Sequence, residues 1–162
     1  AHIEYHGIDP VPAAITVTLI GISGILGRII SGGGADRFGS RIMAAICLAL
    51  QVLVFALLIW VGRLWGFYLV GVLYGIGYGG TLPLVIKMSS EFFGTDSAGA
   101  IFGILLFGAS IAGAIGVPLA GYIYDITDDY AIAFMIATIV VAVAFVFNIF
   151  LKPPRENAQQ EQ

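Results

Sequence analysis

Five stretches of this sequence, each twenty residues or longer, contain a single charge between them, and this decides what the chain can fold into. They cover about residues 12–33, 42–61, 65–86, 98–124 and 131–151, and the one charge is Arg28. A bilayer core of about 30 Å is crossed by roughly 20 apolar residues in a helix that rises 1.5 Å per residue. Lipid offers the backbone no hydrogen bonds, so such runs must satisfy their own N–H and C=O groups as helices. Composition agrees: 59% of residues are hydrophobic and 10% charged, against roughly 25% charged in a soluble domain. The expected fold is all-α, a polytopic bundle of five transmembrane helices over 12–151. Residues 1–11 are expected as an outer loop. Residues 152–162, with Pro153-Pro154 and several glutamines, are expected as a disordered tail.

Several function classes are excluded early. Seven basic against ten acidic residues give a net charge of -3, so no basic face competes for the phosphates of a nucleic acid. Cys47 is the only cysteine, so there is no disulfide framework and no zinc spacing. His2 and His6 flank Glu4, yet in a loop they predict no metal site. The stretch Gly75 to Gly80 satisfies G-x-G-x-x-G, but no strand precedes it, so no dinucleotide site is expected. There is no phosphate-cradling G-x-x-x-x-G-K-[ST] loop. No Ser, His and acid constellation lies inside the runs, so neither an enzyme nor a cofactor is expected.

Basic residues near span ends are held on the cytoplasmic side. With five spans, Arg28, Arg37, Arg41, Lys87, Lys152 and Arg155 fall on one side and only Arg63 on the other. Glu4, Asp9, Asp125, Asp128 and Asp129 lie opposite the basic side. The N-terminus is therefore expected outside and the C-terminus in the cytoplasm, in the cell membrane. Trp60, Trp65 and Tyr68 around Arg63, and Tyr122, Tyr124 and Tyr130 around the acidic loop, sit where an outer aromatic belt belongs. The chain starts at Ala1 rather than a methionine and has an odd number of spans. Both suggest a piece of a longer protein.

The most specific local pattern lies between the first two runs: Gly32-Gly33-Gly34-Ala35-Asp36-Arg37-Phe38-Gly39-Ser40-Arg41, or G-x-x-x-D-R-x-G-x-R. Its glycines permit a tight turn and close helix approach, and Asp36 can meet a helix N-terminus or a basic side chain. Two roles are open: a charge lock at the inner mouth, or a solvated turn whose arginines set topology. The pattern resembles the signature loop of the major facilitator superfamily, which joins the second and third spans of each six-span half. The resemblance implies that the five runs are spans eight to twelve of a partial major facilitator fold, and that the N-terminal half and the seventh span are missing. It is closest to the monocarboxylate and oxalate/formate branch. Gly27-Arg28 stands eight residues before Asp36, where that branch places its substrate arginine. Phe102-Gly103 and Gly116 to Gly121 with Asp125 are similar to its eleventh span.

Independently of family, an arginine at the centre of a span costs about 2.5–3.5 kcal/mol to insert, so it faces a cavity, a partner or the headgroups. Arg28 lies about six residues, or about 9 Å, from the inner end. Its fork can grip a carboxylate bidentately; structural pairing and snorkelling are the competing roles. Lys87 and Glu91, four apart, are spaced for a helical ion pair, or alternatively for a second inner-gate contact. Thr95, Asp96 and Ser97 are suited to capping the fourth span. Gly71, Gly75 and Gly79, then Gly99 and Gly103, form small-xxx-small stripes for helix packing. Pro83 and Pro118 are candidate bends. Tyr74, Tyr78 and Thr81 share one helical face, open to lining a cavity or to interhelical hydrogen bonding.

The expected function is a fragment of a secondary transporter that moves a small mono- or dicarboxylate by alternating access, as proton symport or anion exchange. Its partners are the bilayer, the missing N-terminal half and an anionic solute. No run contains a carboxylate, so a proton-coupling group would lie in the missing part. The alternative is a five-span structural or assembly protein whose glycine stripes serve oligomerisation.

Overall fold

The structure, a computed structural model, describes residues 10–151, apart from the side chains of residues 10, 11, 13 and 95–98. The His2, Glu4 and His6 group, the tail with Lys152 and Arg155, and the capping by Thr95, Asp96 and Ser97 lie outside that description. Five helices follow one another: α1 (Pro10–Phe38), α2 (Ser40–Leu58), α3 (Leu64–Phe93), α4 (Thr95–Thr127) and α5 (Ala131–Phe150). No strand occurs among the described residues. All five helices are long and apolar enough to cross a membrane.

The glycine-rich segment after Arg28 does not form a loop. Residues 32–38 continue α1, and the chain turns at Gly39 alone, with φ 90° and ψ 145°. That conformation is open essentially only to glycine. Leaving the helix earlier would strip hydrogen bonds from backbone still close to the hydrocarbon, so the glycines there stay helical. Gly94, at φ 79° and ψ 167°, makes the same one-residue break between α3 and α4. Pro83 and Pro118 lie inside α3 and α4 without ending them.

The most extensive pairing skips a helix. α1 packs chiefly on α3, α3 also on α2, and α2 on α5, while α4 touches α3 and α5 more lightly. The reason is the glycine seam. A Cβ placed on Gly75 would overlap Ser23 Oγ and the Ile20 backbone, and one on Gly79 would strike the backbone of Gly24. A Cβ on Gly27 would strike the Ile76 backbone, and at Gly71 it would come within 3.0 Å of Thr16 Cγ2. α1 and α3 therefore meet backbone to backbone, the close approach that small residues permit in membranes. Gly99 and Gly103 differ. Nothing lies within 4 Å of an added Cβ at either, and side chains 103–119 of α4 are all exposed.

Candidate functional site

The charged residues gather where α1 ends, α2 begins and α3 ends. Lys87 Nζ of α3 donates to Asp36 Oδ1 of α1 at 2.5 Å. A carboxylate in the last turn of a helix faces the negative end of its dipole, so Asp36 gains from a cation supplied by another helix. The Ser40 hydroxyl, at the first residue of α2, donates to Glu91 Oε2 of α3. Glu91 thus places negative charge at the positive start of α2. The i,i+4 pairing of Lys87 with Glu91 is replaced by these two cross-helix contacts, because the close α1–α3 approach brings Asp36 within reach of Lys87. Arg41 completes the cluster by donating from Nε to the Asn148 carbonyl at 3.3 Å and from Nη2 to the Ile149 carbonyl. Arg37 lies over the Phe38 ring at 5.6 Å.

Beneath the charges sits a buried apolar cluster of Ala35, Met43, Ala44, Cys47 and Leu84, with Met88 packed against it. It fixes the relative positions of α1, α2 and α3 at this end. The Asp36–Lys87 pair itself stays wet, with side chains 77% and 34% exposed. Gly32 has open space around it and Gly39 supplies the turn.

Arg28 is two turns before Asp36, about 12 Å along the helix. Its neighbour Gly27 is buried against α3, whereas Arg28 is exposed and makes no ion pair among the described residues. On α3, Tyr74 stacks on Tyr78, with centroids 5.5 Å apart and rings 10° from parallel, and meets Phe55 of α2 edge-on at 5.7 Å. Tyr78 is exposed. Thr81 faces α2 as Tyr74 does: its hydroxyl donates to the Gly77 carbonyl and accepts from Gln51 Nε2 of α2, both at 2.9 Å. Interhelical bonding, one of two roles open to that face, is thus the one Thr81 takes here. Gln51, buried in α2, was not among the sequence candidates. An amide in the middle of an apolar run was its only signal, since such a group is costly in lipid without a partner.

Comparison with known proteins places the chain in a family. The family model described as Major Facilitator Superfamily matches residues 2–162. Monocarboxylate transporter 13 of Bos taurus is 30% identical over 139 residues, covering 85% of this chain and 33% of that protein. An uncharacterized MFS-type transporter of Bacillus subtilis, YcxA, is 30% identical over 147 residues, covering 84% of this chain and 35% of its own length. The riboflavin transporter MCH5 of Saccharomyces cerevisiae is 28% identical over 151 residues, 88% of this chain and 29% of that protein. The chain spans about a third of the length of these curated relatives. With five helices of membrane-spanning length and a family match over nearly all its residues, this integral membrane chain belongs to the major facilitator superfamily.

Proposed function

We propose that the chain forms spans eight to twelve of a secondary transporter that moves a small mono- or dicarboxylate across the cell membrane by alternating access, through proton symport or anion exchange. The remaining spans come from the rest of the longer protein. The reading rests above all on Arg28, a cation inside a membrane-length helix that is exposed and has no carboxylate partner among the described residues. The insertion cost of about 2.5–3.5 kcal/mol is offset when the guanidinium meets an anion in a cavity. A planar fork binds a carboxylate through two parallel N–H···O bonds, which the point charge of a lysine cannot do. Relatives named as monocarboxylate transporters support the same solute class. Tyr78 presents its ring beside Tyr74 on the α3 face toward the solute path, and Thr81 closes the α2 side of that face.

The Asp36–Lys87 and Ser40–Glu91 contacts, with Arg37 and Arg41 beside them, act as the cytoplasmic gate, with the N-terminus outside and the C-terminus inside. A partly exposed pair contributes under about 1 kcal/mol. Thermal motion therefore opens such a lock easily, as a carrier that cycles between two states requires. The test is uptake of labelled monocarboxylates by the full-length protein and its Arg28→Lys variant. Charge is kept but the fork is lost, so uptake falls by at least about tenfold, the worth of one bidentate contact. Undiminished uptake, or uptake of riboflavin in place of carboxylates, overturns the reading.

A further inference from the structure

We propose that the cleft between α2 and α5 binds an anionic phospholipid, with the headgroup phosphate on Arg41 and an acyl chain lying along the two helices. The cleft has a volume of about 430 Å³, and its apolar wall is formed by Ile42, Ala45, Ile46, Ala49, Phe145 and Ile149. Its polar end is Arg41 and Asn148. From Ile42 to Ala49 the wall runs about 10 Å along α2, at 1.5 Å per residue. A narrow apolar slot with one charged end matches a lipid in both shape and polarity.

Charge complementarity gives the sign of the headgroup. Among the described residues Arg41 donates only to two carbonyls in the last turn of α5, those of Asn148 and Ile149, so its charge has no carboxylate counter-ion there. Among the described side chains, the acids of this end are already engaged, Asp36 with Lys87 and Glu91 with Ser40.

A second, independent feature is Asn148. It is 6% exposed, lines the cleft, and its Oδ1 has no hydrogen-bond partner. A buried amide oxygen in an apolar wall is costly unless something donates to it. The walls also distinguish a lipid from another helix. Where α1 and α3 dock, the seam is glycine, whereas the wall of this cleft combines bulky Ile42, Ile46 and Ile149 with Ala45 and Ala49.

The experiment purifies the full-length protein in micelles containing palmitoyl-oleoyl phosphatidylglycerol or the matching phosphatidylcholine and counts retained lipid by native mass spectrometry. The unaltered protein keeps phosphatidylglycerol in preference to phosphatidylcholine. Arg41→Gln lowers that retention by about fivefold, corresponding to about 1 kcal/mol for one basic residue at an anionic headgroup. Ala45→Trp fills the slot while leaving Arg41 and the α5 contacts in place, and it lowers retention as much or more. Arg37→Gln, at the same end but outside the cleft, leaves retention within about twofold, as expected for a charge screened by solvent. No preference between the two lipids, unchanged retention in either cleft variant, or an equal loss in Arg37→Gln overturns the site.

Discussion

Replacing Gly79 with alanine adds one carbon to the glycine seam, where backbone meets backbone. That carbon would lie 2.6 Å from Gly24 Cα and 2.7 Å from Gly24 C, and closer still to Gly24 O. Carbon pairs are at their optimum near 3.5–4.0 Å, so α1 and α3 must separate by about 1 Å at this level. Both sides of the contact are backbone, and no side chain can rotate out of the way. A gap of about 1 Å forfeits a quarter to a half of each dispersion contact it opens, and the seam extends through Gly71, Gly75 and Gly27. Overpacking of this kind costs about 1–3 kcal/mol, and the upper end applies because neither side yields. Alanine returns about 1 kcal/mol of helix propensity over glycine, which leaves a net loss of about 2 kcal/mol. The assay is thermal unfolding of the full-length protein in detergent, followed by tryptophan fluorescence, with Gly21→Ala as the control. An added Cβ at Gly21 meets nothing within 4 Å, so that variant gains about 0.5–1 kcal/mol. Gly79→Ala should melt roughly 2 °C below the parent, because a protein about three times the length of this chain has a correspondingly larger unfolding entropy. If the two variants melt together, the backbone-to-backbone seam is not what holds α1 to α3.

Other perturbations follow from the same geometry. A double-mutant cycle on Asp36→Asn and Lys87→Gln should give a coupling of about 0.2–1 kcal/mol that shrinks in high salt, since both side chains are partly exposed; a coupling above about 2 kcal/mol would indicate a pair sealed from water. Gly39→Ala should destabilise by about 1–3 kcal/mol because of its φ of 90°, while Gly32→Ala, in helical backbone with open space around it, should be neutral or slightly stabilising in the same unfolding assay. Gln51→Leu removes the donor to Thr81, which keeps its bond to the Gly77 carbonyl, so the loss measured by unfolding should be only about 0.5–1 kcal/mol.

The helices were legible because their signal is additive: each run sums twenty or more apolar residues, and no tertiary contact can reverse that. The family pattern was legible because Asp36, Arg37, Gly39 and Arg41 are adjacent in sequence. What failed to show was anything decided by which helices touch. Lys87 looked equally suited to Glu91 on its own helix, and only the close approach of α1 to α3 redirects it to Asp36. The turn was harder to place than the span, since three glycines suggest a break, yet the hydrogen-bond demand of backbone near lipid keeps them helical and leaves the turn to Gly39. Thr81 and Gln51 are thirty residues apart, and nothing local couples them.

The pairing of α1 with α3 rather than α2 also sets the order of events during synthesis. α1 enters the bilayer before its principal partner exists, and the ribosome must add the 55 residues from Phe38 to Phe93 before all of α3 is available. At about 5–20 residues per second this interval lasts about 3–11 s. Throughout it the bare glycine face of α1 and the charge of Arg28 are exposed to lipid or to the insertion machinery. Nascent chains halted before Tyr74 should therefore be the most vulnerable to extraction and degradation, and those halted after Phe93 much less so.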